Sequence, residues 1–119
     1  MIKKYVQGER KTDPKLYCLI GKIAIDSKIH NELGVAVTGN DGDLWYLWLD
    51  EMNTVFGFCQ MRIGKNKQAH IRYLWADKLG MKIKNELIEW ALTDAKQQKC
   101  PLIFTNDRET AGIWNLFNF

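Results

Sequence analysis

Cysteine, histidine and proline are scarce in this 119-residue chain, and each scarcity removes a class of chemistry. The three cysteines, Cys18, Cys59 and Cys100, are odd in number, widely spaced and lack a CxxC pair. They make a poor disulfide framework and a poor zinc site, so no metal is expected. The two histidines, His30 and His70, offer no obvious base to a catalytic thiol. Cys59 lies in an apolar run and reads as a small buried hydrophobe. The two prolines, Pro14 and Pro101, fall at plausible element boundaries, and no repeat, low-complexity tract or linker separates domains. No apolar run approaches the length needed to cross a bilayer. The polar, basic start, Met1–Arg10, has no apolar stretch behind it of the signal-peptide kind, so a cytoplasmic location is expected.

What is present suits one compact domain over residues 1–119, with 46% hydrophobic and 26% charged residues. The net charge of +3 is mild, but its distribution is uneven. Arg62, Lys65, Lys67, Arg72, Lys78, Lys82 and Lys84 stand against a single acid, Asp77. That segment is a candidate surface for a phosphorylated cofactor or a nucleic acid; solvated lysines on a hairpin and a helix start are the plainer reading.

Periodicity predicts the elements. Residues 1–14 read as an extended arm or a loose first strand. Leu16, Leu19, Ile20, Ile23 and Ile29 form one stripe, predicting a single helix over Leu16–Leu33 capped by Gly34. Asn40–Asp43 is turn chemistry. Three strands follow, Leu44–Leu49, Thr54–Ile63 and Gln68–Ala76, joined by turns at Glu51–Asn53 and Gly64–Lys67, which makes an antiparallel meander. Trp45 and Trp48 have opposite strand parity and so point to opposite faces. Ile83, Leu87, Ile88, Ala91, Leu92 and Ala95 predict a long amphipathic helix ending before Pro101. Leu102–Thr105 is a short strand and Arg108–Phe117 a last helix. The passage from Gln68 to Thr105 is a strand–helix–strand crossover, which places its two strands parallel. The expected fold class is α/β, an α+β mixed sheet with helices on its faces.

In this order of elements the chain resembles the GNAT superfamily of acetyltransferases over about residues 16–119. In Ile71–Asp77 the resemblance implies a strand that splays from its neighbour and offers the backbone of Leu74, Trp75 and Ala76 to the pantetheine arm of acetyl-CoA. The segment Leu79, Gly80, Met81, Lys82, Ile83 and Lys84 stands where the family binds the cofactor pyrophosphate at a helix N-terminus. Leu79 replaces an arginine or glutamine there, and Lys82 and Lys84 replace small residues. The lysines could contact phosphate as point charges or obstruct the backbone cradle. Asn106 matches a cofactor-contacting asparagine. Ala111, Trp114, Phe117 and Phe119 fall in register with the family's last helix, but Trp114 replaces its thiolate-protonating tyrosine, and an indole lacks a usable proton. Where many members carry a glutamate base, this strand offers His70 and Arg72; His70 and Glu51 are the candidate catalytic residues, against the plainer reading of each as a structural or solvated group.

The resemblance implies a C-terminal hairpin that is not expected within residues 1–119, so a homodimer is expected to close the edge that is left, with residues 1–14 as the alternative cover. The resemblance implies an acetyl-CoA-dependent N-acetyltransferase of unknown amine acceptor. The alternatives are a catalytically altered GNAT-like module that binds protein or nucleic acid through Arg62–Lys84, and a phage-encoded DNA-modifying enzyme of the Mom type, suggested by Arg72–Trp75 and Trp114.

Overall fold

The computed structural model describes residues 1–8, 14–65, 67–77, 80–100 and 103–105, with 80–81 and 103–105 described by backbone alone. Its elements are β1 (Ile2–Val6), α1 (Lys15–Ile25), α2 (Ser27–Leu33), β2 (Leu44–Leu49), β3 (Val55–Ile63), β4 (Ala69–Ala76), α3 (Gly80–Gln97) and β5 (Ile103–Thr105). They form one five-stranded sheet in the order β1-β2-β3-β4-β5. The first four strands are antiparallel neighbours, and β5 lies parallel to β4 across the α3 crossover.

The meander, the long helix and the parallel last strand stand where periodicity places them. One open alternative is decided and one expectation changes. Of the arm and the first strand, the chain forms the strand: Ile2–Val6 pairs with Leu44–Trp48 throughout, at the opposite edge from β5. It therefore covers β2 and cannot close the β4–β5 side. The single helix over Leu16–Leu33 is two helices. Asp26 leaves helical geometry (φ −76°, ψ 110°), and its Oδ1 accepts from the backbone N–H of Lys28 and Ile29. A short polar side chain that caps a helix start competes with helix continuation, so the stripe persists while the axis breaks. Gly34 ends α2 in the left-handed region (φ 75°), as a helix-terminal glycine does. The predicted helix over Arg108–Phe117, with Trp114, Phe117 and Phe119, lies outside the described residues, as do Asn106, Lys78 and Leu79.

The sheet separates two apolar clusters. On one face Tyr46, Cys59, Met61, Ile71 and Leu74 meet Ile83, Leu87, Ile88, Ala91 and Leu92 of α3. On the other, Trp45, Leu47, Phe58, Tyr73 and Trp75 meet Leu16, Leu19 and Ile23 of α1 and Ile29 of α2. Trp45 and Trp48 do take opposite faces. Trp45 donates to Gln7 Oε1 at 3.0 Å beneath the α1–α2 layer, and Trp48 donates to Glu86 Oε2 of α3 at 3.0 Å. Cys59 is fully buried, and burial alone drives its thiol pKa upward, the behaviour of an inert packing residue.

Candidate functional site

The β3–β4 register passes from Gln60↔Tyr73 to Met61↔Ile71, so Arg72 is an extra residue on β4, a β-bulge. A bulge bends its strand and shifts side-chain parity by one. Ile71 packs on the α3 face, whereas Tyr73, two residues on, packs on the α1–α2 face, and Leu74 returns to the α3 side. Arg72 and Tyr73 both project towards α1–α2, where Arg72 Nη2 donates to the Tyr73 hydroxyl at 3.2 Å.

Among the described residues, pairing of β4 with β5 runs to Ile71↔Thr105, immediately before the bulge. Among the described residues no strand pairs with Arg72–Ala76 on that side. On the other side the backbone N–H of Asp77 donates to Phe56 O at 2.8 Å. Antiparallel pairs alternate between bonded and non-bonded, and Phe58 faces Trp75, so the N–H and C=O of Trp75 and Tyr73 face β3. Those of Leu74 and Ala76 face outward. Of the three residues expected to offer backbone contacts, Leu74 and Ala76 turn their polar groups away from β3, and Trp75 turns its own towards β3.

The side chain of Trp75 lies on the helical face. Its indole N–H donates to Glu32 of α2, and it helps line a pocket of about 350 Å3 with Lys22, Asp26, Lys28, Met52, Asn53 and Asp77. Lys28 Nζ sits 3.1 Å from Asp77 Oδ1, and this hydrogen bond, then Asp77's charge, raises the lysine pKa. The pocket thus flanks the strand end that carries the outward groups of Leu74 and Ala76.

After Asp77 the chain enters α3 at Gly80, whose first-turn N–H groups lack intrahelical acceptors by construction. Lys82 is exposed and Lys84 half-buried there. Ile83 is directed into the core, where its Cγ2 would lie 2.6 Å from a Cβ built on Gly57. Only the backbone of Ile83 is left to serve a ligand.

The catalytic candidates are not brought together. His70 faces Arg62 near one end of β3, and Glu51 sits in the exposed turn before the other end. Seven residues of β3, about 24 Å, separate Val55 from Arg62. The basic stretch is also dispersed. Arg62 Nε and Nη2 donate to the two oxygens of Asp43 at 2.7 and 2.8 Å, and this bonding raises the guanidinium pKa. Arg72 Nη1 donates to Gln60 Oε1 at 2.9 Å.

Asp43, Gln60 and Thr38 were missed in the sequence. Asp43 reads as turn chemistry in the sequence, although it shares strand parity with Trp45 and Leu47, and Gln60 shares parity with Phe58 and Arg62. A lone polar residue in phase with a buried face was the available signal. Among the described residues no three His, Cys, Asp or Glu side chains converge as metal ligands.

No protein-family model matches the chain, and no curated protein matches it in sequence. Solved structures do match in shape. An acetyltransferase of the GNAT family from Staphylococcus aureus Mu50 superposes with a TM-score of 0.65, at 14% identity over 98% of this chain and 79% of that one. The fold is GNAT-like. An aminoglycoside acetyltransferase from an uncultured soil metagenomic sample matches at TM-score 0.58, 16% identity, over 98% and 83% of the two chains. A transcriptional regulator from Bacillus halodurans matches at 0.57, also at 16% identity, over 100% and 91%. At such identities the superpositions show a shared fold alone, and a fold by itself does not carry an activity.

Proposed function

We infer that the chain is an acetyl-CoA-dependent N-acetyltransferase whose acceptor is an amine. The observation that carries this reading is the open edge of β4. Leu74 and Ala76 turn backbone donors and acceptors outward just ahead of the first turn of α3. A strand edge of this kind can pair with the amides of a pantetheine arm as it would with another strand. The first-turn N–H groups of α3, with Lys82 and Lys84, suit the charge of a pyrophosphate.

In the reaction an amine nitrogen bonds to the thioester carbonyl carbon, the C–S bond breaks, and the amine proton passes to solvent or to the departing thiolate. The chain's part is to hold the thioester in line and to aim an outward N–H at its carbonyl oxygen. The pocket beside Trp75 gives an acceptor room on the helical face. Binding of nucleic acid through Arg62–Lys84 is disfavoured, because Arg62 and Arg72 are committed to internal partners.

Calorimetry with acetyl-CoA tests the reading. The wild-type chain is expected to bind saturably. Ala76→Pro removes an N–H that faces away from β3, so the protein should stay folded yet bind about tenfold more weakly, the worth of one hydrogen bond. Lys82→Glu should also weaken binding. A folded wild-type protein that does not bind acetyl-CoA would overturn the assignment.

A further inference from the structure

β4 carries one residue too many just before the outward groups of Leu74 and Ala76, and that residue, Arg72, is held from a distance. Asp43 stands at the end of the connection between α2 and β2 and is almost fully buried. Its Oδ1 accepts from Arg62 Nε, and its Oδ2 accepts from Arg62 Nη2 and from the backbone N–H of Asn40 at 2.8 Å. The same Oδ2 lies 3.7 Å from Arg72 Nη1, the guanidinium of the bulge residue. Gln60, fully buried, takes Arg72 on its Oε1 and donates its Nε2 to Thr38 O at 2.7 Å. Arg72 Nη2 reaches Thr38 Oγ1 at 3.3 Å, and its guanidinium lies 5.0 Å from the centroid of the Tyr73 ring.

Buried side chains of this kind fix geometry, since any displacement would leave a charge or an amide unmet. Two continuations of β4 compete. With the bulge, Tyr73 and Trp75 reach the α1–α2 core and Leu74 reaches α3. Without it, the strand slips by one residue and these side chains exchange faces. The extra residue is stable only while its side chain is engaged on the α1–α2 face.

We propose that Asp43 is a positioning residue for the outward edge of β4: through Arg62 and Arg72 it locks the bulge that precedes that edge and aims the backbone of Leu74 and Ala76. This rests on the reading of that edge as the acetyl-CoA seat. Asp43 acts through Arg72 and touches no reacting atom.

The test uses Asp43→Asn, with Arg72→Lys as a charge-conserving second variant should the first fail to fold. Hydrogen exchange is followed at the amides of Tyr73 and Trp75, which face β3, and at those of β2. Acetyl-CoA affinity and turnover at saturating cofactor are measured beside it. The expected result is exchange about tenfold faster at Tyr73 and Trp75 with β2 unchanged, KM for acetyl-CoA raised about tenfold, and kcat within about twofold. Unchanged acetyl-CoA affinity in a variant of a chain that binds it would overturn the proposal, and so would uniform acceleration across the sheet. Failure of the wild-type chain to bind acetyl-CoA would remove the cofactor reading alone. The exchange pattern would then still decide the lock: selective loss at Tyr73 and Trp75 upholds it, and uniform or absent loss overturns it.

Discussion

A carboxylate at 1% exposure is costly unless its charge is met, and the two oxygens of Asp43 are met by the Arg62 fork. Arg62 retains 37% side-chain exposure, which softens the cost of stranding it. Asp43→Ala should therefore lower stability by about 2 kcal/mol, checked by urea denaturation at neutral pH. Across the sheet Tyr46 donates to Asp94 Oδ2 at 2.6 Å, an oxygen that also meets Lys4 at 2.8 Å. Tyr46→Phe leaves that ion pair standing and should cost about 1 kcal/mol in the same assay. Residues of this kind were the least legible in the sequence. Composition shows that an aspartate precedes an aromatic strand; only the paired arginine, 19 residues later, shows why it is buried.

Elements were legible in proportion to the regularity of their pattern. The recurrence of Ile83, Leu87, Ala91 and Ala95 admits one reading, and every member of it is buried. The helix break at Asp26 hides because the apolar stripe runs through it. Asp26→Ala should remove about 1 kcal/mol of capping and lower the Tm. The bulge hides for a different reason. Ile71, Tyr73 and Trp75 alternate without fault in the sequence and imply a common face, and the structure contradicts this because Arg72 resets the phase. Part of the candidate site was thus legible as a segment, Leu74–Ala76, while the choice of which backbone groups face outward was not. Gly57 belongs to the same scale. A Cβ there would sit 2.6 Å from Ile83 Cγ2 and 3.1 Å from Trp75 O. Gly57→Ala should cost about 2 kcal/mol and displace the start of α3 from β3, which a thermal melt and an acetyl-CoA titration would both register.

At the scale of the whole molecule, the sheet keeps two cores apart and each tolerates only neutral or paired groups. Tyr46 is the clearest titration consequence. Burial, then its bond to Asp94, raises its phenol pKa far above the usual value. The folded state then holds a proton that the unfolded chain releases above about pH 10. The unfolded state binds fewer protons there, so stability should fall as pH rises past that point. Alkaline unfolding followed by phenolate absorbance should show Tyr46 ionising with the loss of structure and not before it.

The pairing of β1 with β2 has one more consequence. The sequence of β2 is Leu44, Trp45, Tyr46, Leu47, Trp48 and Leu49, six uncharged residues of which the three aromatics favour strands. A segment of that make-up, left with a bare edge, templates intermolecular cross-β assembly. β1 occupies that edge and carries two exposed lysines, Lys3 and Lys4, on opposite faces, Lys4 being paired with Asp94 of α3. A chain lacking Met1–Val6 should keep its far edge intact yet assemble into thioflavin-positive fibrils, so the first strand serves the protein as a guard against its own most apolar segment.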